Sequence, residues 1–216
     1  MIQKICFDNG HGSNTPGKCS PDGGKSHREY KWARIVVRKA VDKLRRLNYD
    51  AINICPEETD TSLAIRCNRV EQWCAKFGKA NVLLVSVHNN AAGADGRWHN
   101  ARGWCAFTTK GKTKADELAS CLYDVAQDKL KAYASTFSPE EIASKQRPIR
   151  TDYTDGDADL EENFYILRHT SCPSVLVEHM FQDNLKDVAW LSVEANQNLC
   201  ADILVEGVIK FINQNR

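Results

Sequence analysis

The 216-residue chain contains no apolar run approaching the roughly 20 residues a helix needs to cross a bilayer, so a helical membrane protein is excluded. It also lacks an excess of either charge: 29 Lys and Arg stand against 28 Asp and Glu, a net of +1. A general binder of nucleic-acid backbones needs a basic excess or stripe, so no nucleic-acid partner is expected. None of the nine cysteines (6, 19, 55, 67, 74, 105, 121, 172 and 200) forms a C-x-x-C pair, and their number is odd. That argues against a disulfide or zinc-ribbon framework. Their even spread, often within apolar runs, predicts small buried hydrophobes in a chain made in a reducing compartment. Met1-Ile2-Gln3-Lys4 leads directly into apolar alternation, with no room for the three regions of a secretory leader. Two readings remain open: a chain synthesised and held in the cytoplasm, or an exported one whose leader has been removed. There is no internal repeat and no linker-like break, which predicts a single domain over 1–216.

With 42% hydrophobic and 26% charged residues, the composition is that of an ordinary globular protein able to bury a core unaided. Residues 2–8 alternate and stop at Asn9-Gly10, a strand entering a loop rich in Gly, Pro, Ser and Asn. From 28 to 47 the apolar residues recur at helical spacing. A strand is expected at 50–55, then a helix at 62–77 between a Thr61-Ser62 cap and Gly78. Residues 82–87 (VLLVSV) are nearly continuously apolar, the mark of a parallel strand covered on both faces. Further strands are expected at 103–108 and 174–178, and helices at 113–134, 185–191 and 193–213. Residues 138–162 read as irregular, with the acidic run 152–162 a solvated loop, and 164–167 as a short apolar piece. This alternation predicts a single layered α/β domain whose mostly parallel central sheet is flanked by helices on both faces.

Ligands of open α/β sheets bind beyond the carboxyl ends of the strands. The first strand exits into Asp8-Asn9-Gly10-His11-Gly12, the strand 82–87 into His88-Asn89-Asn90, and the strand 174–178 ends on Glu178. Glu29 precedes Ala33, Val36 and Ala40 by 4, 7 and 11 residues, which places it on the inward face of its helix. Two imidazoles, one carboxylate and an open position make a common catalytic zinc set, so His11, Glu29 and His88 are the candidate ligands of one Zn²⁺ ion. Glu178 is then free to act as proton shuttle, the candidate catalytic residue. Plainer roles exist for each: a turn histidine at 11, a capped core histidine at 88, and a helix-dipole glutamate at 29. His27, His99, His169 and His179 rank below this set, His27 as a rival to Glu29 and His99 as a candidate cleft residue. His179 should point to the opposite face from Glu178.

At these residues the sequence resembles the zinc-dependent N-acetylmuramoyl-L-alanine amidases, the Amidase_3 catalytic-domain family. Asp8-Asn9-Gly10-His11-Gly12 resembles its opening D-x-G-H-G element, Glu29 its helix-borne ligand, and Ser86-Val87-His88-Asn89-Asn90-Ala91 its S-I-H-A-N-A element. Ala101-Arg102-Gly103, Phe164-Tyr165-Ile166-Leu167-Arg168, Pro173-Ser174-Val175-Leu176-Val177-Glu178 and Phe181-Gln182-Asp183-Asn184 follow in family order. The departures are His179-Met180, in place of a small-residue step, and a long excursion over 135–162. The resemblance implies zinc-dependent cleavage of the amide between the lactyl group of N-acetylmuramic acid and L-alanine, with peptidoglycan as substrate. A monomer is expected, and the missing leader, the cysteine load and the lack of an attached wall-binding domain suit a phage or prophage lysin that waits in the cytoplasm, with a bacterial remodelling enzyme whose signal was removed as the alternative. Asn90 is a candidate for orienting the metal site. Competing readings are a zinc peptidase or carboxypeptidase and a catalytically silent wall-binding module.

Overall fold

A computed structural model describes all residues 1–216. Six strands form one sheet: β1 (Lys4–Asp8), β2 (Ala51–Asn53), β3 (Val82–Asn90), β4 (Cys105–Thr108), β5 (Leu160–Glu161) and β6 (Ser174–Phe181). Their order is β2-β1-β3-β6-β4-β5. The four strands β2, β1, β3 and β6 run parallel, and β4 opposes β6. The expected mostly parallel α/β architecture is therefore the one observed.

Helices cover the two faces unequally. The larger core lies beneath α1 (Glu29–Arg46), α3 (Lys114–Lys129) and α8 (Glu194–Gln214). In α1 the stripe Trp32, Ala33, Val36, Val37, Ala40, Val41 and Leu44 is buried, as its spacing requires. Where α8 crosses α3, a Cβ on Gly207 would sit 2.6 Å from Leu122 Cδ2, so the close approach depends on glycine. The smaller core lies beneath α2 (Leu63–Phe77) and the short helix Tyr165–Arg168, and holds Cys6, Cys55, Cys67, Cys74 and Cys172. Ser62 caps α2 by accepting the Ile65 N–H. All nine cysteines are free and all but Cys19 are buried, as expected of small hydrophobes. No helix is long and apolar enough to cross a membrane.

Four expectations need correction. β3 runs to Asn90 and β6 to Phe181, so His88 and Glu178 lie within strands rather than after or at their ends. Polar residues can continue these strands because their backbone groups stay paired: His88 is in register with Glu178, and a bulge interrupts the ladder only between His88 and Asn90. The helix expected over 113–134 breaks at Leu130 into α3 and α4 (Lys131–Ala134). The excursion 138–162 is not wholly irregular. It contains α5 (Pro139–Ala143), started by a Ser138/Glu141 capping box, and β5. Its acidic run is not wholly solvated either, since Asp159 is buried. The chain ends through α6 (Tyr165–Arg168), β6, α7 (Leu185–Leu191) and α8.

Candidate metal centre

β1 ends on buried Asp8, and the chain then turns through Gly10 and His11, both in the left-handed region at φ 47° and 43°. A Cβ on Gly10 would lie 2.5 Å from His88 Cε1, so only glycine lets the loop pass over the His88 ring. The strained His11 backbone is held by two arginines that donate to its carbonyl: Arg34 at 3.2 Å and Arg66 at 3.3 Å. The His11 and His88 rings meet edge-on, with centroids 4.9 Å apart.

Glu29, the first residue of α1, is 1% exposed. Its Oε1 lies 2.9 Å from His88 Nδ1 and 3.4 Å from His11 Nε2, and accepts the Asn89 N–H at 3.1 Å. Its Oε2 is buried with no partner. Burial pushes the Glu29 pKa up, but the hydrogen bonds and charges of His11 and His88 outweigh it and hold the carboxyl below its ordinary range. One ligand atom from each of His11, Glu29 and His88 falls within 4.8 Å of the others. This convergence, together with the orphaned Oε2, fits a metal ion, since a buried carboxylate oxygen otherwise needs a donor.

The strand bearing His88 also fixes which ring nitrogen is turned to Glu29. The Ser86 hydroxyl donates to Asp8 Oδ2 at 2.6 Å, so its oxygen is left to accept from His88 Nε2 at 3.1 Å. Nδ1 then faces Glu29 Oε1 at 2.9 Å, and it is the nitrogen that would give up its proton to bind a metal while Nε2 keeps its own. Asp8 is anchored in turn by the Arg66 guanidinium, which also donates to Asp60 Oδ1 at 2.8 Å. Burial raises the Asp8 pKa, and the charges of Arg66 and His88 overcome it and lower it.

Glu178 faces the same centre from β6, across the ladder from His88. Its Oε2 is buried without a partner, and its pKa is pushed up to about 8: burial and the Glu29 charge raise it, and His88 and Lys18 oppose them. The cleft above these groups has a volume of about 330 Å³, with Lys18, Asp60, Ser62 and Tyr165 in its walls. A larger hollow of about 500 Å³ between β2 and α2 surrounds Trp73 and the Glu57–Arg69 ion pair; none of the three clustered metal-ligand candidates lines it.

The structure thus brings together His11, Glu29, His88 and Glu178 and leaves the other histidines out. His27 Nε2 is bound to Asn89 Oδ1 at 2.9 Å. His179 is fully buried against Trp32 and Trp104, on the face opposite Glu178. His169 stacks on Tyr165. His99 pairs with Asp95 and lines a separate hollow beside Trp98 and Glu140 rather than this cleft. Asn90 makes no side-chain hydrogen bond to the four residues: its amide nitrogen approaches Cys105 Sγ at 4.0 Å, and its Oδ1 accepts the Ala91 N–H. Hydrogen bonds to Glu29 and His88 are made by the Asn89 N–H and the Ser86 hydroxyl. Sequence reasoning also missed Asp8, Lys18, Arg34 and Arg66. Asp8 opens the D-x-G-H-G element and was available on that ground, whereas the other three enter only through tertiary folding.

Comparison with known proteins gives the family. A curated relative, the N-acetylmuramoyl-L-alanine amidase AmiC of Neisseria meningitidis serogroup B, is 26% identical over 239 residues; the match covers 97% of this chain and 52% of the relative. The chain therefore spans about half the length of that protein. Two solved structures share the fold, each with a TM-score of 0.73 at 21% identity. The CwlV catalytic domain of Bacillus (Paenibacillus) polymyxa var. colistinus covers 98% of this chain over 99% of its own. An N-acetylmuramoyl-L-alanine amidase of Clostridium difficile 630 covers 100% over 99%. A family model described as N-acetylmuramoyl-L-alanine amidase matches residues 5–210, a span that includes all four converging residues, and the chain belongs to that family.

Proposed function

We propose that the protein hydrolyses the amide bond between the lactyl group of N-acetylmuramic acid and L-alanine in peptidoglycan, with one zinc ion held by His11, Glu29 and His88. The observation that carries this reading is the opposition of Glu178 to His88 across β3 and β6, within a chain matched to the amidase family over residues 5–210. Zinc bound by such a donor set acts as a Lewis acid on a carbonyl and lowers the pKa of water.

The chain's own groups supply the rest. Glu178 takes the proton of the attacking water and passes it to the departing alanine nitrogen. The burial that raises its pKa suits this exchange, because a group titrating near neutrality can both accept and return a proton. Glu178 would be favoured in the ionised form, with which the cycle starts, by a dication held on His11, Glu29 and His88. His88 is kept in the metal-binding tautomer by Ser86 and Asp8, and the His11 loop is held by Arg34 and Arg66. Lys18 sets a positive charge in the cleft wall beside Glu178. The unpaired state of all nine cysteines supports synthesis in a reducing compartment before the enzyme meets the wall.

The test is Glu178→Gln on purified peptidoglycan. Full zinc content with loss of nearly all release of peptides beginning in L-alanine is expected. Undiminished release would remove Glu178 from the reaction.

A further inference from the structure

The excursion 138–162 carries a second cluster of carboxylates that the amidase reaction does not use. Asp159 is 2% exposed. Its Oδ2 accepts the Thr108 hydroxyl at 2.6 Å, while its Oδ1 is buried with no donor. Asp157 Oδ1 is likewise buried and unpartnered, and the two carboxyl groups lie within hydrogen-bonding reach of one another. Asp116, in the first turn of α3, adds a third negative charge to the neighbourhood: burial raises its pKa, and Asp157 raises it further. Glu161, in β5, is committed to the Gly111 N–H at 2.7 Å. Lys112 stands nearby, its Nζ 4.0 Å from where a Cβ on Gly156 would lie. Two carboxylates face to face in a dry setting cannot both be ionised unless a cation stands between them.

We infer that Asp157 and Asp159, backed by Thr108, form a calcium site distinct from the His11–Glu29–His88 centre. The donors are all hard oxygens, which suit Ca²⁺ or Mg²⁺ and not zinc. They sit on a loop that turns at Gly156 (φ 110°), an adaptable frame of the sort Ca²⁺ accepts better than Mg²⁺, which demands near-ideal octahedral geometry. The strand register separates the two sites. Phe107 of β4 pairs with Leu176 in the antiparallel ladder, so Thr108 lies toward the start of β6, roughly 10 Å along the strand from Glu178. Without the ion, burial and the neighbouring Asp157 carboxylate push the Asp159 pKa up to about 7. With the ion both carboxylates are ionised, and the loop is tied to the end of β4. The site therefore fastens the excursion to the sheet and takes no part in hydrolysis, and it stands whether or not the amidase reading does.

The experiment is calorimetric titration of CaCl₂ into the zinc-replete, calcium-free protein, paired with thermal melting. One calcium per chain is expected, with a rise in Tm of roughly 5–10 °C at a hundredfold excess over Kd. Asp157→Asn and Asp159→Asn should each weaken binding at least tenfold and abolish most of the rise. Asp157→Asn, at the less buried position, guards against a folding failure at 159. MgCl₂ at equal concentration should give the smaller shift. Absence of calcium binding to the wild type, unchanged binding in both variants, or an equal response to magnesium would overturn the proposal.

Discussion

His88 makes three commitments at once: its Nε2 to Ser86, its Nδ1 toward Glu29, and its backbone to the ladder opposite Glu178. Its tautomer is therefore set by a serine two residues back, which lies on the same face of the strand. If that is how the site is prepared, Ser86→Ala and Asp8→Asn should lower zinc affinity about 10–100-fold, the usual cost of removing such a support. Competition with a chromogenic chelator measures this directly, and wild-type affinity in both variants would mean the relay is incidental. Removing a ligand is more severe. His11→Ala and His88→Ala should purify without stoichiometric zinc in elemental analysis, and full occupancy in either would show that the replaced histidine is not a ligand. The residues of this centre were unequally legible in the sequence. His11 and His88 sit in Gly- and Asn-rich motifs beside strands, and Glu178 closes an apolar run, so each stood out locally. Arg66 and Lys18 did not, because a basic residue on a helix or in a polar loop gives no sign of what the fold will place beneath it.

At the level of elements, the loop 101–103, α4, α5 and the start of α7 meet at one buried ion pair. Arg102, 1% exposed, donates from Nε to Asp187 Oδ1 at 2.9 Å and from Nη1 to Glu141 Oε1 at 3.1 Å. Asp187, fully buried, also accepts from the Tyr133 hydroxyl and from the Phe181 N–H that ends β6. Truncating one partner strands the other's charge, so Asp187→Ala should cost about 3–5 kcal/mol of stability. Urea denaturation checks this, and a loss below about 1 kcal/mol would mean the network relaxes freely. Element boundaries were where sequence reasoning fell short. The apolar runs 82–87 and 174–178 mark where two strands are covered by helices, but pairing between their backbones carries both strands onward through His88 and Glu178. Hydropathy cannot register that extension, since it depends on the neighbouring strand. The capping box at Ser138 and Glu141 was readable, yet a helix of five residues leaves no periodicity to find.

For the whole molecule, the alternation of helical and strand periods sufficed to predict one layered α/β domain, and order β2-β1-β3-β6-β4-β5 is what that alternation becomes. What it could not supply was the reversal of β4 or the pairing of β5, which depend on how the 138–162 excursion folds back. The same parallel strands carry His11, His88 and Glu178 to one edge of the sheet, and that geometry underlies the proposed reaction. A zinc peptidase would need the same metal chemistry, so only the product separates the two. Mass spectrometry of muropeptides digested by the zinc-loaded protein, with and without chelator, is the most direct measurement. Free stem peptides beginning with L-alanine, lost on chelation and regained with zinc, are the predicted result. Shortened stems still joined to sugar, or release that survives removal of the metal, would contradict it.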